Sequence, residues 1–334
     1  MISPLRFQRP TCRWLLVFVV LVFIIGKSDA SLGDRLPDFK ECVKVCKTEN
    51  CEKGEASLPL HLHLLLWDCP SNCDYTCQHI ITDRRVNRDP PMLTPVVQFH
   101  GKWPFYRVLG IQELFSVLFS LLNLLAHRNG MARVRQSIPA SYPLQKYYLA
   151  FGYFGLASWT FSMIFHTRDF PLTEKLDYFA AGASVLYGLY LSVIRIFRLD
   201  QQRPHIKPTL LRLWTLLCIV LYLAHISYLS FWRWDYTYNM AANVAVGIIH
   251  NILWIWFSIY RYRKSLKSWS AWPGMIVAWV VLAMSLELMD FSPFWGLIDA
   301  HSLWHLGTVV PAIWWYTFLI KDAQHDMAGE RLKA

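Results

Sequence analysis

LLRLWTLLCIVLYLAHISYLSF, residues 210–231, is an apolar run with one formal charge, Arg212. An α-helix needs roughly 20 such residues to cross the hydrocarbon of a bilayer. Comparable runs lie at 108–127, 147–166, 176–197, 240–260, 272–291 and 298–320. Lipid offers no water to backbone N–H and C=O groups, so runs of this length are predicted to be helices. The expected fold is therefore an all-α membrane protein, a seven-transmembrane-helix bundle over 108–320. Composition agrees: 54% of the residues are hydrophobic and only 17% charged, with a positive mean hydropathy of +0.26. The 16 Trp and 16 Tyr suit a chain with aromatic rings at membrane interfaces.

The net charge of +10 does not indicate nucleic acid, because the basic residues sit in short clusters between apolar runs. Arg128, Arg133, Arg135 and Lys146 fall between the first two runs. Arg195, Arg198, Arg203, Lys207 and Arg212 follow the third, and Arg261, Arg263, Lys264 and Lys267 follow the fifth. The 290–299 turn has Asp290 and Asp299 and no Lys or Arg. The positive-inside rule puts the Arg-rich loops in the cytosol. The N-terminal part is then lumenal, and residues 321–334 form a cytosolic tail.

Residues 1–30 read as a signal peptide. Arg6, Arg9 and Arg13 precede a short apolar core, and Ser28 and Ala30 stand at −3 and −1 of a cleavage site. Residues 31–107 read as a small disulfide-rich lumenal domain with a Pro- and charge-rich linker over 83–107. Six of the eight cysteines lie here: Cys42, Cys46, Cys51, Cys69, Cys73 and Cys77. In an oxidising lumen they imply three disulfides on short helices. Spacing alone does not choose among the 15 pairings of six cysteines. Metal binding by these thiols with His61, His63 and His79 is the weaker alternative.

Ionisable residues inside membrane helices demand an explanation. Ser162 and His166 are four apart, on one face at the lumenal end of the second run, and Asp177 follows at the lumenal start of the third. His301 and His305, again four apart, open the last run. Topology thus brings three imidazoles, a carboxylate and a hydroxyl to one depth. Three histidines from two helices, with a fourth position left open, are a donor set for Zn²⁺. Asp299 suits an N-cap of the last helix. Glu287 and Asp290 either support the histidines or cap helices. Lys102 and Arg168 either snorkel to the interface or meet a lipid phosphate. His100, His225 and His250 are interface or packing residues.

The spacing Ser-x3-His-x10-Asp with a downstream His-x3-His resembles the CREST superfamily of seven-helix membrane hydrolases. The blocks Phe99-His100-Gly101-Lys102-Trp103-Pro104-Phe105, Phe165-His166-Thr167-Arg168-Asp169, Leu172 to Phe179, and Asp299-Ala300-His301 with Trp304-His305 resemble the Per1-like proteins, the post-GPI-attachment-to-proteins factor three family. That resemblance implies zinc held by His166, His301 and His305, with Asp177 and Ser162 as catalytic groups. It implies hydrolysis of the sn-2 acyl ester of GPI-anchored proteins, as a GPI phospholipase A2-like enzyme of the Golgi membrane or, alternatively, the endoplasmic reticulum. A ceramidase-like amidase using the same site, or a non-catalytic seven-helix receptor or sorting scaffold with structural zinc, are the competing readings.

Overall fold

The computed structural model describes residues 31–51, 58–201 and 206–331. The segment read as a signal peptide lies outside them, as does Arg203. Among the described residues the chain is helical, without a strand beyond isolated bridges.

The cysteine domain contains α1 (Leu32–Arg35), α2 (Pro37–Asn50), α3 (Leu60–Leu64) and α4 (Cys69–Val86). Proline begins α2, where a missing N–H costs nothing, and Asp68 with Ser71 forms a capping box at α4. Helices α2 and α4 are stapled by Cys42–Cys77, Cys46–Cys73 and Cys51–Cys69. Cysteines about one turn apart on two antiparallel helices pair in this nested order. All six expected cysteines are therefore bridged, which removes the thiolate metal site. Phe39, Ile81, Val97 and Phe99 form the small core beneath the staples. The expected linker 83–107 is in fact part of the domain. Its first residues finish α4, and Phe99, only 1% exposed, lies on Gly33, where a Cβ would come within 2.4 Å of the ring.

The remaining helices are α5 (Leu114–Ser137), α6 (Gln145–Thr167), α7 (Pro171–Phe197), α8 (Ile206–Ser227, extended by a π-helical turn Tyr228–Trp232), α9 (Tyr236–Ser265), α10 (Trp272–Met289) and α11 (Ala300–Arg331). Six of them, α6 to α11, are long and apolar enough to cross a membrane. α5 has the length but not the apolarity. It buries Ser116, Ser120, Asn123 and His127 and ends in a stretch holding Arg128, Arg133 and Arg135. The seven expected runs thus give seven long helices, of which six meet the requirement for a span.

Three boundaries differ from expectation. α5 begins at Leu114 rather than near Val108, because Val108 to Ile111 closes a tight turn with Leu109 and Gly110 at positive φ. It continues past Ala126 because its inner face stays packed on α11. There Gly130 admits the Tyr316 ring, and His127 Nδ1 meets the Tyr316 hydroxyl at 2.9 Å. α11 runs to Arg331 instead of ending near 320, since Asp322 and Asp326 in its last turns are ion-paired rather than solvated.

α5 packs on α6 and α11, α6 on α7, α7 on α9, α9 on α10, and α10 on α11. These contacts close a ring of six helices, with α8 outside it on α7. Tyr190 to Thr215 (2.9 Å) and Tyr222 to the Phe179 carbonyl (2.9 Å) hold α8 there. The large apolar core fills the end of the ring remote from the cysteine domain, with Tyr148, Leu191, Ile194, Trp254, Tyr316 and Phe318 at its centre. At that end Asp322 receives both Arg195 and Arg261, and Asp326 receives Arg198 and Tyr142. The end beside the cysteine domain instead buries polar groups: Ser116, Ser120, Ser162, His166, Ser302 and His305.

Asp322 is fully buried and Arg195 is 3% exposed. Removing one partner of a buried ion pair strands the other charge, at a cost of about 3–5 kcal/mol. Asp322→Ala is expected to lower the thermal unfolding midpoint in detergent sharply, and Asp322→Asn less so. Equal midpoints for wild type and Asp322→Ala would refute this account of the α11 extension.

Candidate metal centre

α6 carries Ser162 and His166 in its last two turns and stops at Arg168, where the backbone becomes extended. Asp169 and Phe170 turn the chain, Pro171 starts α7, and Asp177 follows in its second turn. On α11 the expected N-cap is present. Asp299 Oδ1 accepts the Ser302 N–H at 2.8 Å, and the Asp299 N–H donates to Ser302 Oγ at 3.0 Å. The cap fixes the start of the helix and so the direction of His301 and His305.

The three imidazoles converge. Ring centroids are 5.1 Å apart for His166 and His301, 5.0 Å for His166 and His305, and 4.5 Å for His301 and His305. One ligand nitrogen of each lies within 4.8 Å of the others. His166 Nε2 and His301 Nε2 are 3.3 Å apart. Two nitrogens on one tetrahedral zinc, each at 2.0–2.1 Å, would be separated by about 3.3–3.4 Å.

The opposite nitrogen of every ring is engaged. His166 Nδ1 meets Glu113 Oε2 at 2.7 Å, and His301 Nδ1 meets Glu287 Oε2 at 2.7 Å. His305 Nδ1 meets Ser120 Oγ at 2.9 Å and the Ser116 carbonyl at 3.3 Å. An acceptor at Nδ1 holds the proton there and leaves Nε2 with a free lone pair, the tautomer a metal ligand requires. The donor set, its spacing and its tautomers all fit a divalent metal such as Zn²⁺.

Further groups complete the environment. Lys102 bridges Glu113 and Asp169 and lies 3.9 Å from the centre of the Phe165 ring. It is thus part of the frame behind His166, not a snorkelling side chain. Burial alone would favour the neutral amine, but the Glu113 and Asp169 carboxylates raise its pKa to about 12. Asp177 is half-buried in α7 and, among the described residues, makes no hydrogen bond or ion pair with His166 or His301, so the structure does not bring it into direct contact with them. Ser162 Oγ lies 3.0 Å from Ser120 Oγ, so it reaches His305 through a second hydroxyl.

Of the other acids, Glu287 supports a histidine and Asp299 is a cap. Asp290 turns away from the ring. It ends α10 at positive φ and accepts hydrogen bonds from Gln98 (2.8 Å) and Trp103 (2.9 Å) of the cysteine domain. His100 bonds Asp74 in that domain, His225 faces Tyr238, and His250 packs beside Gly188, so none of these joins the centre.

Glu113, Ser116 and Ser120 were absent from the sequence expectations. A signal existed for the first, since Glu113 is the one acid in the run 108–127. Such an acid needs a partner wherever it is buried.

An all-helical membrane bundle with three converging histidines is therefore the class of protein defined here. Comparison with known proteins gives the family. Residues 59–323 match the model of the Per1-like family, and the chain belongs to it. It is 46% identical to the Protein PER1 homolog of Schizosaccharomyces pombe, over 91% of each chain. It is 37% identical to the GPI-specific phospholipase A2-like PGAP3 of Xenopus laevis, over 92% of this chain and 94% of that one. For the human protein of the same name the identity is 33%, over 91% and 93%. No solved structure matches.

Removing a partner behind a metal-bound histidine lowers metal affinity about 10–100-fold. Glu113→Gln and Glu287→Gln are expected to show that loss in competition with a chromophoric zinc chelator. His166→Ala should retain no zinc at all. Wild-type protein that binds no zinc, or Gln variants that bind it as tightly as wild type, would contradict the assignment.

Proposed function

We propose that the chain hydrolyses the sn-2 acyl ester of the lipid on GPI-anchored proteins, using Zn²⁺ held by His166, His301 and His305. The observation that carries this reading is the convergence of three imidazoles whose Nδ1 atoms are all bound from behind. The relatives named GPI-specific phospholipase A2-like support the substrate and the reaction class. Zn²⁺ bound there supplies a Lewis acid and acidifies a water molecule, providing a nucleophile near neutral pH.

The chain's own residues do the rest. Asp177 takes a proton from the attacking water and returns it to the departing sn-2 oxygen. The water oxygen joins the carbonyl carbon, the bond from that carbon to the glycerol oxygen breaks, and the products are a fatty acid and a lyso-GPI. Ser162 donates a hydrogen bond to the oxyanion. Proton counting permits this: with the N–H of His305 Nδ1 directed at Ser120, the Ser120 hydroxyl can donate to Ser162 and leave the Ser162 proton available. Glu113, Glu287 and Ser120 keep the imidazoles oriented.

In this reading all seven long helices cross the membrane, with the polar face of α5 turned into the ring. The cysteine domain and the centre are lumenal, the C-terminus is cytosolic, and the membrane is that of the Golgi or, alternatively, the endoplasmic reticulum. The Arg-rich loops lie at the end of the bundle opposite the cysteine domain, which supports that orientation. A lumenal site suits a substrate whose glycan and protein are lumenal while its acyl chains remain in the bilayer.

The test is lipid remodelling on a GPI-anchored reporter in cells lacking their own factor. Wild type should yield lyso-GPI and His301→Ala should yield none at matched expression. Asp177→Asn should lose about 10²–10⁴-fold in rate, the range for a general acid–base group. Full remodelling by His301→Ala would make the centre structural and point to a scaffold. Release of sphingosine from ceramide by purified protein, without lyso-GPI, would point to an amidase.

A further inference from the structure

The cysteine domain shows an apolar surface that the reaction does not use. In and after α3, Leu60 is 74% exposed, Leu64 72% and Leu66 67%, and on the neighbouring turn Leu109 is 77% exposed. Leu66 and Leu109 have φ of 59° and 53°, a left-handed conformation unfavourable for any residue with a Cβ. The fold therefore holds leucines outward at a conformational cost. Their base is rigid. Leu58, Leu62 and Trp67 are buried beneath them, and Trp67 Nε1 donates to the Gly110 carbonyl at 2.8 Å.

This patch stands beside the last turns of α6, inside the stretch long and apolar enough to cross a membrane. Leu64, Leu65 and Leu66 line one groove, of about 280 Å³, with Met163, Ile164 and Phe170. Ile164 and Leu172 expose their side chains on the same outer surface. The leucines thus lie level with residues that face lipid.

The rim of the groove is cationic. The Arg168 guanidinium lies 4.1 Å from the centre of the Trp67 ring, and that of Arg107 lies 4.7 Å from it. Their hydrogen bonds go to uncharged oxygens, the Asp169 carbonyl and the Asn72 side chain. Arg168 Nε and Arg107 Nη1 are buried and have no hydrogen-bond partner among the described residues, so a phosphate here would meet the outer nitrogens of the two guanidinium groups. Apolar side chains with guanidinium groups just above them match a phospholipid, acyl chain below and phosphate above.

We propose that the Leu60–Leu66 segment and Leu109 dip into the adjoining leaflet and seat a phospholipid there, its acyl chain in the groove and its phosphate at Arg168 and Arg107. The groove uses the outer face of α6, whereas Ser162 and His166 face the ring, so this lipid is bound and not hydrolysed. The docking holds the cysteine domain against the membrane, whatever reaction the centre performs.

The test uses the full chain in phosphatidylcholine vesicles, with Cys12→Ser and Cys218→Ser so that an introduced thiol is the only one outside the three disulfides. Fluorophores on Leu64→Cys and Leu66→Cys should be quenched by spin-labelled lipid at a depth of about 5–10 Å below the headgroups. They should be shielded from iodide, unlike a label on Leu93→Cys. Equal access of iodide to all three positions would overturn the proposal and turn the patch into a surface for a protein partner. Native mass spectrometry then checks the headgroup half. Wild type and His301→Ala should retain a phospholipid that the Arg107→Gln/Arg168→Gln double variant loses. Unchanged retention by the double variant would overturn the phosphate contact.

Discussion

Everything near the centre follows from one requirement: a polar group buried in a membrane bundle must have a partner. Each imidazole has two nitrogens, and the fold satisfies one from behind so that the other is left facing its neighbours. Glu113 serves His166 and Lys102 together, Glu287 serves His301, and Ser120 serves His305. Charge follows the same logic. Lys102 offsets Glu113, and Asp169 stands at a wetter rim, 26% exposed, where water screens it. Glu287, behind His301, and the carboxylates of Asp177 and Asp299 add negative charge around the three imidazoles. A divalent cation held by the three Nε2 atoms would offset that charge.

The bundle separates stiffness from chemistry. Large aromatics and buried ion pairs close the end remote from the cysteine domain, where α11 continues past the apolar stretch. The other end holds small polar residues, and among the described residues no buried aromatic cluster of that size lies there. Aromatic rings there contact the imidazoles themselves, Trp159 to His305 and Phe165 to His166. The packing that would have stabilised the site is placed instead at the far end of the same helices. α11 joins the two ends, carrying His301 and His305 near its start and Asp322 and Asp326 near its finish.

Much of this was legible in the sequence, for physical reasons that can be named. The long apolar runs located the helices, because a membrane leaves the backbone no alternative. The four-residue spacings placed Ser162 with His166 and His301 with His305, because one helical turn is close to four residues. The cap at Asp299 was readable from its position. Other features depend on tertiary packing. The extension of α5 depends on Gly130 meeting Tyr316, residues far apart in sequence. The disulfide order depends on α2 and α4 being antiparallel. Ser120 and Ser116 looked like ordinary serines in an apolar helix, and only the proximity of His305 gives them a role. Lys102 has the sequence context of an interfacial lysine, and only its tertiary neighbours Glu113 and Asp169 make it part of the frame.

The cysteine domain is mechanically continuous with the centre. The staples between α2 and α4 fix the small core in which Phe99 is buried. Phe99 and Lys102 exchange backbone hydrogen bonds across the His100-Gly101 turn, which holds Lys102 in place. Lys102 binds Glu113, and Glu113 binds His166. Asp290 ties the same segment to the end of α10, two residues before which Glu287 holds His301 from behind. The oxidised domain therefore reaches two of the three histidines through side-chain and backbone hydrogen bonds without a loose joint. A domain that served only as a cap over the bundle would have no need to contribute Lys102 to the frame of His166. Its disulfides are better understood as setting the position of His166 than as stabilising a separate module.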